Sequence, residues 1–274
     1  MTKFGKREIE ALLVTKGHIF DREPFFEMID GLVRPDENTV INWTHVEQPA
    51  AEALMNPERA AKYDTIVWYD MPGVVFTGSQ PPFAHFDPSP EYKEGFLSLL
   101  DAGKPMIFLH HAIAAWPSWP EFGELLGGRF HFLPGELGGT EYPGSGYRFR
   151  VPQTITVEDP DHPIVAGLDP TFEITDEAYM FAVLEDDVTP LLRSDFAFSP
   201  ESFYHGGVDF KHHPPSSNLV GWTKRARNAE IAYLQFGHGP EAYNNESFRR
   251  LLTNAVKWAA DKRDRSVHPL YVAA

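Results

Sequence analysis

Residues 104–122 read KPMIFLHHAIAAWPSWPEF, and inside them the apolar run 106–109 passes directly into His110 and His111. The run is short, starts after Lys104-Pro105 and shows no alternation of polar and apolar positions. A strand with one wet face alternates with period two, so an unbroken apolar run marks a strand covered on both faces. Two runs of the same kind lie upstream, ALLVT at 11–15 and TIVWY at 65–69, with a further strand-like run at 40–46. Between and after them, 24–33, 50–61 and 90–102 have helical character. Strands that alternate with helices need crossover connections and therefore form a parallel sheet. The helix expected over 90–102 carries a full start signal: Ser89 to cap it, Pro90 preset for the first turn, Glu91 on the positive end of the dipole, and Gly103 near its end. The expected fold class is α/β, a mainly parallel sheet with helices on both faces.

The second half differs. Residues 133–146, LPGELGGTEYPGSG, are rich in glycine and proline, which break helix and strand alike, and read as a long surface loop. Strand-like pieces follow at 147–151, 153–157, 172–175, 179–182 and 189–193, without helical spacing between them, and are expected to extend or cap the sheet. Residues 218–222 and 230–236 flank TKRARNA and predict a hairpin. Phe248, Leu251, Leu252, Ala255, Val256 and Ala259 then trace the stripe of a closing helix. No linker separates two hydrophobic stretches, so a single domain over 1–274 is preferred to a boundary near 134–146.

Composition narrows the function. The chain has 274 residues, 42% of them hydrophobic, enough for a sizeable core, and its formal charge of −15 repels phosphate backbones and anionic membranes. With zero cysteines there are no disulfides, no thiolate metal site and no cysteine nucleophile. The opening lacks a run apolar enough for a signal peptide, and no stretch approaches a membrane span, so cytoplasm is the expected location.

In open parallel sheets ligands collect beyond the carboxyl ends of the strands. Three strands run into histidines there: the first into Gly17-His18, the run 106–109 into His110-His111, and 230–236 into Gly237-His238. Imidazole titrates near neutrality and ligates metals, so a converging set can serve acid-base chemistry or coordination. Each has a bland alternative: His18 and His238 beside glycines in turns, and one of His110 and His111 buried as its strand alternates faces. Asp176-Glu177 breaks the strand-like run 172–182 and offers a carboxylate, Glu177 foremost, as base, metal ligand or histidine orienter; the alternative is a solvated turn. Trp116 and Trp119 are candidates for stacking on a sugar, against the usual core role of tryptophan. His45, His85, His131, His162, His205, His212, His213 and His268 read as solvated or structural, and Lys224, Arg225 and Arg227 as a solvated hairpin tip. There is no P-loop or dinucleotide fingerprint.

Five pieces in order, VTKGHIFDREPFF, FLHHAIAAWPSWPEFGELLGGRF, DHPIVAGL, FEITDEAYM and LQFGHGPEAY, resemble the trehalose-utilisation ThuA-like family over residues 11–260. The resemblance implies a fold similar to class I glutamine amidotransferases, with a flavodoxin-like core, in which a strand-turn-helix elbow carries a cysteine and a late strand its histidine. The elbow falls here at His110 or His111, so cysteine-dependent glutamine hydrolysis is excluded, while His238 resembles the late histidine. The resemblance also implies metabolism of disaccharides, glycosides or keto-sugars. The leading expectation is an enzyme, a hydrolase, lyase or isomerase of sugars, using His18, His110, His111, Glu177 and His238 for acid-base work. The same five are the ligands for a divalent metal such as zinc if one is bound. The rival is a sugar-binding or regulatory protein on the same scaffold. The expected partner is a small-molecule sugar or glycoside; a homo-oligomer is left open.

Overall fold

The computed structural model describes residues 7–32 and 38–263. Val33, the last position of the first expected helix, and His268 lie outside the described residues. In chain order the strands are β1 (Arg7–Lys16), β2 (Thr39–Glu47), β3 (Thr65–Asp70), β4 (Val74–Phe76), β5 (Phe83–His85), β6 (Met106–Leu109), β7 (Gly128–Arg129), β8 (Gly135–Leu137), β9 (Thr140–Tyr142), β10 (Gly146–Val157), β11 (Thr171–Met180), β12 (Ala182–Val183), β13 (Thr189–Ser194), β14 (His205–Gly206), β15 (Leu219–Ala226) and β16 (Ala229–Leu234). The helices are α1 (Arg22–Asp30), α2 (Pro90–Asp101), α3 (Pro120–Leu126), α4 (Pro240–Tyr243) and α5 (Glu246–Lys262).

Ten strands form one sheet in the order β11-β10-β13-β15-β16-β6-β3-β1-β2, with β14 added to β10. The pairs β2·β1, β1·β3, β3·β6 and β6·β16 are parallel, as the unbroken apolar runs require. From β16 outward through β15, β13, β10 and β11 the pairing is antiparallel. Strand β1 shows how both faces are used. Ile9, Ala11 and Leu13 join the core under α1 and α5 with Phe25 and Leu251, whereas Leu12 and Val14 join the core under α2 and α3 with Phe96 and Phe122. Alternate side chains of a strand point to opposite faces, so a strand buried on both must be apolar throughout.

Helix ends follow their local chemistry. The Ser89 hydroxyl accepts from the Tyr92 backbone N–H at 3.1 Å to start α2, and the Asn245 side chain accepts from Phe248 N–H at 3.0 Å to start α5. The stripe expected for α5 is buried throughout, from Phe248 to Ala259. No described helix is long and apolar enough to cross a membrane.

Several expectations need correction. Residues 50–61 form a 3-10 turn at Ala50–Leu54 followed by turns. Pro57 supplies no N–H and disfavours helical backbone at Asn56, which prevents a longer helix. The loop expected over 133–146 contains the hairpin β8–β9, turned by Gly138 and Gly139 at φ 59° and 77°. Two positive φ values in a two-residue connection match the twist of its strands, which is what the paired glycines permit. The pieces 147–151 and 153–157 are one strand with a bulge between Arg148 and Val151. Likewise 172–175 and the first two residues of 179–182 are joined as β11 through Asp176 and Glu177, while Ala182 opens β12. The hairpin tip is only Arg227-Asn228, because β15 runs on to Ala226.

Candidate functional site

Parallel strands deliver three loops to one edge of the sheet. After β1, Lys16 and Gly17 turn the chain at φ 93° and 97°, which presents His18. A β-carbon on Gly17 would stand 2.3 Å from the Met71 carbonyl oxygen, so this approach requires glycine. After β6, His110 takes φ 47° and opens a 3-10 turn, His110–Ala114, so that neighbouring His110 and His111 stay close, with ring centres 5.5 Å apart. Beyond β16, Gly237 at φ 119° precedes His238.

The fourth contribution comes from β11, at the far end of the strand order. Two side chains fasten it to the end of β16. The Gln235 amide accepts from the Tyr179 backbone N–H at 2.9 Å and donates to the Tyr179 carbonyl, as a strand backbone would. Asp176, 4% exposed, accepts from the N–H groups of Gly237 at 2.6 Å, His238 at 3.1 Å and Glu177 at 2.9 Å. From below, the Tyr69 hydroxyl donates to Gly237 O at 2.6 Å, and the Tyr243 hydroxyl donates to His238 O at 3.2 Å. The loop that carries His238 is thus held on both sides.

His110 lies at the centre with no exposed surface. Its Nδ1 donates to the Gln235 carbonyl at 2.6 Å, and since a carbonyl only accepts, this bond places a proton on Nδ1. Its Nε2 then faces Glu177 Oε2 at 3.0 Å, the Tyr179 hydroxyl at 3.0 Å and His238 Nδ1 at 3.2 Å. The same Glu177 oxygen is 2.9 Å from His238 Nδ1. Burial by itself would raise the Glu177 pKa, but hydrogen bonds from His110 and His238 outweigh it and hold the carboxyl well below the usual range. Burial likewise works to lower the His238 pKa, and the hydrogen bond and charge of Glu177 raise it above the ordinary imidazole value. His18 goes the other way: burial, helped by charge on His110, takes it down to about 4. His18 Nδ1 donates to the Ile19 carbonyl at 2.7 Å, and its ring stacks on His111 at 4.8 Å. His111 is buried with neither ring nitrogen bonded, and burial holds its pKa well below the ordinary imidazole value.

The structure therefore brings His18, His110, His111, Glu177 and His238 together. His18, Glu177 and His238 line a cavity of about 740 Å³, with His110 directly behind Glu177. Trp116 and Trp119 are elsewhere: they are 2% and 4% exposed, packed with Tyr92 and Phe96 in the core under α2, and neither lines the cavity. Their carbonyls accept from the buried Arg129 guanidinium. Aromatic faces reach the cavity from Phe76, Phe83, Phe130, Phe132 and Phe149 instead. Sequence reading also passed over Tyr179. Its signal was available, since residues two apart in a strand share a face, which puts Tyr179 beside Glu177 and turns Asp176 the other way.

As a metal centre the donor set fits. His110 Nε2, Glu177 Oε2 and His238 Nδ1 form a triangle with sides of 3.0, 3.2 and 2.9 Å. A tetrahedral zinc site with arms near 2.05 Å has edges of about 3.3 Å. The bond from His110 Nδ1 to a carbonyl is the usual orienter of a histidine ligand.

Comparison with known proteins agrees with this architecture. A ThuA-like protein from Parabacteroides merdae superimposes with a TM-score of 0.65 at 17% identity, over 94% of this chain and 92% of that one. Another from Bacteroides uniformis gives 0.60 at 19% identity, over 95% and 94%. A protein from Salmonella typhimurium described as cytoplasmic gives 0.53 at 12% identity, over 91% and 98%. At such identities the likeness is one of fold. No curated protein matches the chain. The family pattern described as trehalose utilisation matches residues 10–259, nearly the whole described chain, and the protein belongs to that family, ThuA.

Proposed function

We propose that this protein is a cytoplasmic carbohydrate-active enzyme that binds a small glycoside or keto-sugar in the 740 Å³ cavity and moves protons with His18 and His238. The observation that carries the reading is one carboxylate oxygen, Glu177 Oε2, shared between His110 Nε2 and His238 Nδ1 at the floor of a largely apolar cavity. Two imidazoles of one cavity have pKa values pushed apart, His18 down and His238 up, which is the pattern that separates a base from an acid. His18 is neutral at pH 7 and carries its proton on Nδ1, so Nε2 is the basic atom. His238, whose pKa the hydrogen bond and charge of Glu177 raise, is the donor.

On a glycoside with a keto group two carbons from the glycosidic carbon, the C–H between them is acidic. His18 takes that proton, the electrons form a C=C bond, and the bond from the glycosidic carbon to the leaving oxygen breaks while His238 protonates that oxygen. Asp176 and Gln235 keep the loops of β11 and β16 in register, and Tyr179 holds His110 Nε2. A second reading is favoured by the donor triangle. With a divalent ion held by His110, Glu177 and His238, polarisation of the substrate carbonyl is the chemistry the ion supplies.

Glu177→Gln separates the readings. Turnover of trehalose-like disaccharides, glycosides and their 3-keto forms, followed by mass spectrometry, is expected to fall by about 10²-fold or more, because proton-transfer groups contribute that much. A parallel loss of bound zinc or manganese from protein purified without chelators supports the metal reading, and unchanged metal content supports proton transfer alone. Binding without conversion by the metal-replete wild type, across the whole panel, sinks the enzyme reading in favour of a sugar-binding protein.

A further inference from the structure

The cavity is divided by chemistry. Of its polar lining, Glu177 and Tyr179 are buried, His18, Tyr147 and His238 are half-buried and Lys16 is exposed, whereas the other exposed side chains of the lining, Ile19, Phe76 and Phe149, are apolar. One wall is a continuous ladder of rings. Phe76 contacts Phe83 and Phe132 at 5.7 and 5.8 Å, Phe132 contacts Phe130 at 5.1 Å, and Phe130 contacts Tyr179 at 5.2 Å, which itself stacks on His110 at 4.5 Å. Phe149 lies 5.5 Å from His238 and 5.4 Å from Tyr147. The rim is unusually apolar for a surface: Ile19 is 91% exposed, Phe76 59% and Phe149 48%.

We propose that the outer half of the cavity is a subsite for an aryl aglycone, so that the substrates are aromatic glycosides rather than free disaccharides. The inference rests on the reading that the reacting sugar ring sits at the His110–Glu177–His238 cluster. A second sugar ring in the outer half brings several hydroxyl groups against phenylalanine walls, and each one buried without a partner costs roughly a factor of 10 in affinity. An aromatic ring has no such groups to satisfy. It packs edge-on or offset against Phe76, Phe132 and Phe149 and removes exposed apolar surface on both sides. Phe149, 5.5 Å from His238, sets the aglycone next to the group that must protonate its leaving oxygen. Aromatic alcohols are also better leaving groups than sugar hydroxyls, which suits a site that relies on His238 as its acid.

The test is calorimetric binding of phenyl and methyl D-glucopyranosides, each as both anomers, with trehalose as the disaccharide. The wild type is expected to bind the phenyl glucoside of one anomer about 10-fold more tightly than its methyl counterpart and more tightly than trehalose. In Phe76→Ser and Phe149→Ser, which alter exposed rings and whose folding is checked by circular dichroism, the phenyl-over-methyl preference is expected to collapse towards unity. Glu177→Gln is expected to leave that preference in place. An absence of preference in the wild type, its survival in both serine variants, or no binding of any glucoside at millimolar concentration overturns the subsite. A dimer that the serine variants dissociate, with the preference unchanged, makes the rim an interface between copies and overturns it too. Because the measurement is of binding, preference without turnover refutes only the enzyme reading, and turnover without preference refutes only the aglycone.

Discussion

Asp70 ends β3 with 2% of its surface exposed, and its Oδ2 accepts from Gln48 Nε2 at 2.8 Å. Burial raises its pKa from 3.8 to about 7, against the opposing effect of the Gln48 bond. Because the folded-state value lies above the unfolded one, the folded protein holds this proton more tightly. The resulting stabilisation is fully present below about pH 4 and is lost as the pH rises through about 7. Asp70→Asn is uncharged at every pH, so its stability relative to wild type is expected to improve between pH 4 and 7 and then level off, by an amount on the order of 4 kcal/mol at most. Urea unfolding of both proteins at several pH values checks this, and a constant difference refutes it. Other single residues were more legible. His18, His110, His111 and His238 could be picked out because each directly follows a strand run or a glycine at its end. Trp116 and Trp119 could not be placed, because an indole in a sequence looks the same whether it packs on Phe96 or on a sugar.

At the level of elements, Gly95 in α2 shows packing overriding propensity. Alanine is better than glycine in a helix interior by about 1 kcal/mol. Here, however, a β-carbon would stand 1.8 Å from the Met55 carbonyl oxygen, where only a backbone shift makes room. Overpacking of this kind costs about 1–3 kcal/mol. Gly95→Ala is therefore expected to lower stability, by up to about 2 kcal/mol net in denaturant titration, and a rise would show that the helix slides freely. Apolar runs and caps identified β1, β3, β6, α2 and α5, since each depends on residues within one or two turns of chain. The hairpin β8–β9 was harder, because glycines that permit a turn also permit a loop. The unity of β11 was harder still. Asp176 and Glu177 look like a break until the N–H groups that Asp176 accepts, 61 and 62 residues away, are known.

For the whole molecule, the sheet separates two cores, one under α1 and α5 and the other under α2 and α3. If the chain is one domain, Leu252→Ala in the first and Leu99→Ala in the second should each cost about 2–5 kcal/mol and shift the same single unfolding transition. Two transitions moved separately, seen by calorimetry, would divide the chain into independent units. The sequence by itself determined the α/β class, the parallel strands of the first half, the absence of cysteine chemistry and the histidines at strand ends, because these depend on composition and on periodicity over a few residues. Only the tertiary structure decided that the far strand β11 is fastened to the end of β16, so that Glu177 and Tyr179 meet His110 across 67 and 69 residues of chain. It alone also turned the tryptophans inward and the phenylalanines into the cavity. Those outcomes are set by which distant surfaces pack and which buried donors find acceptors, and no local pattern records that choice.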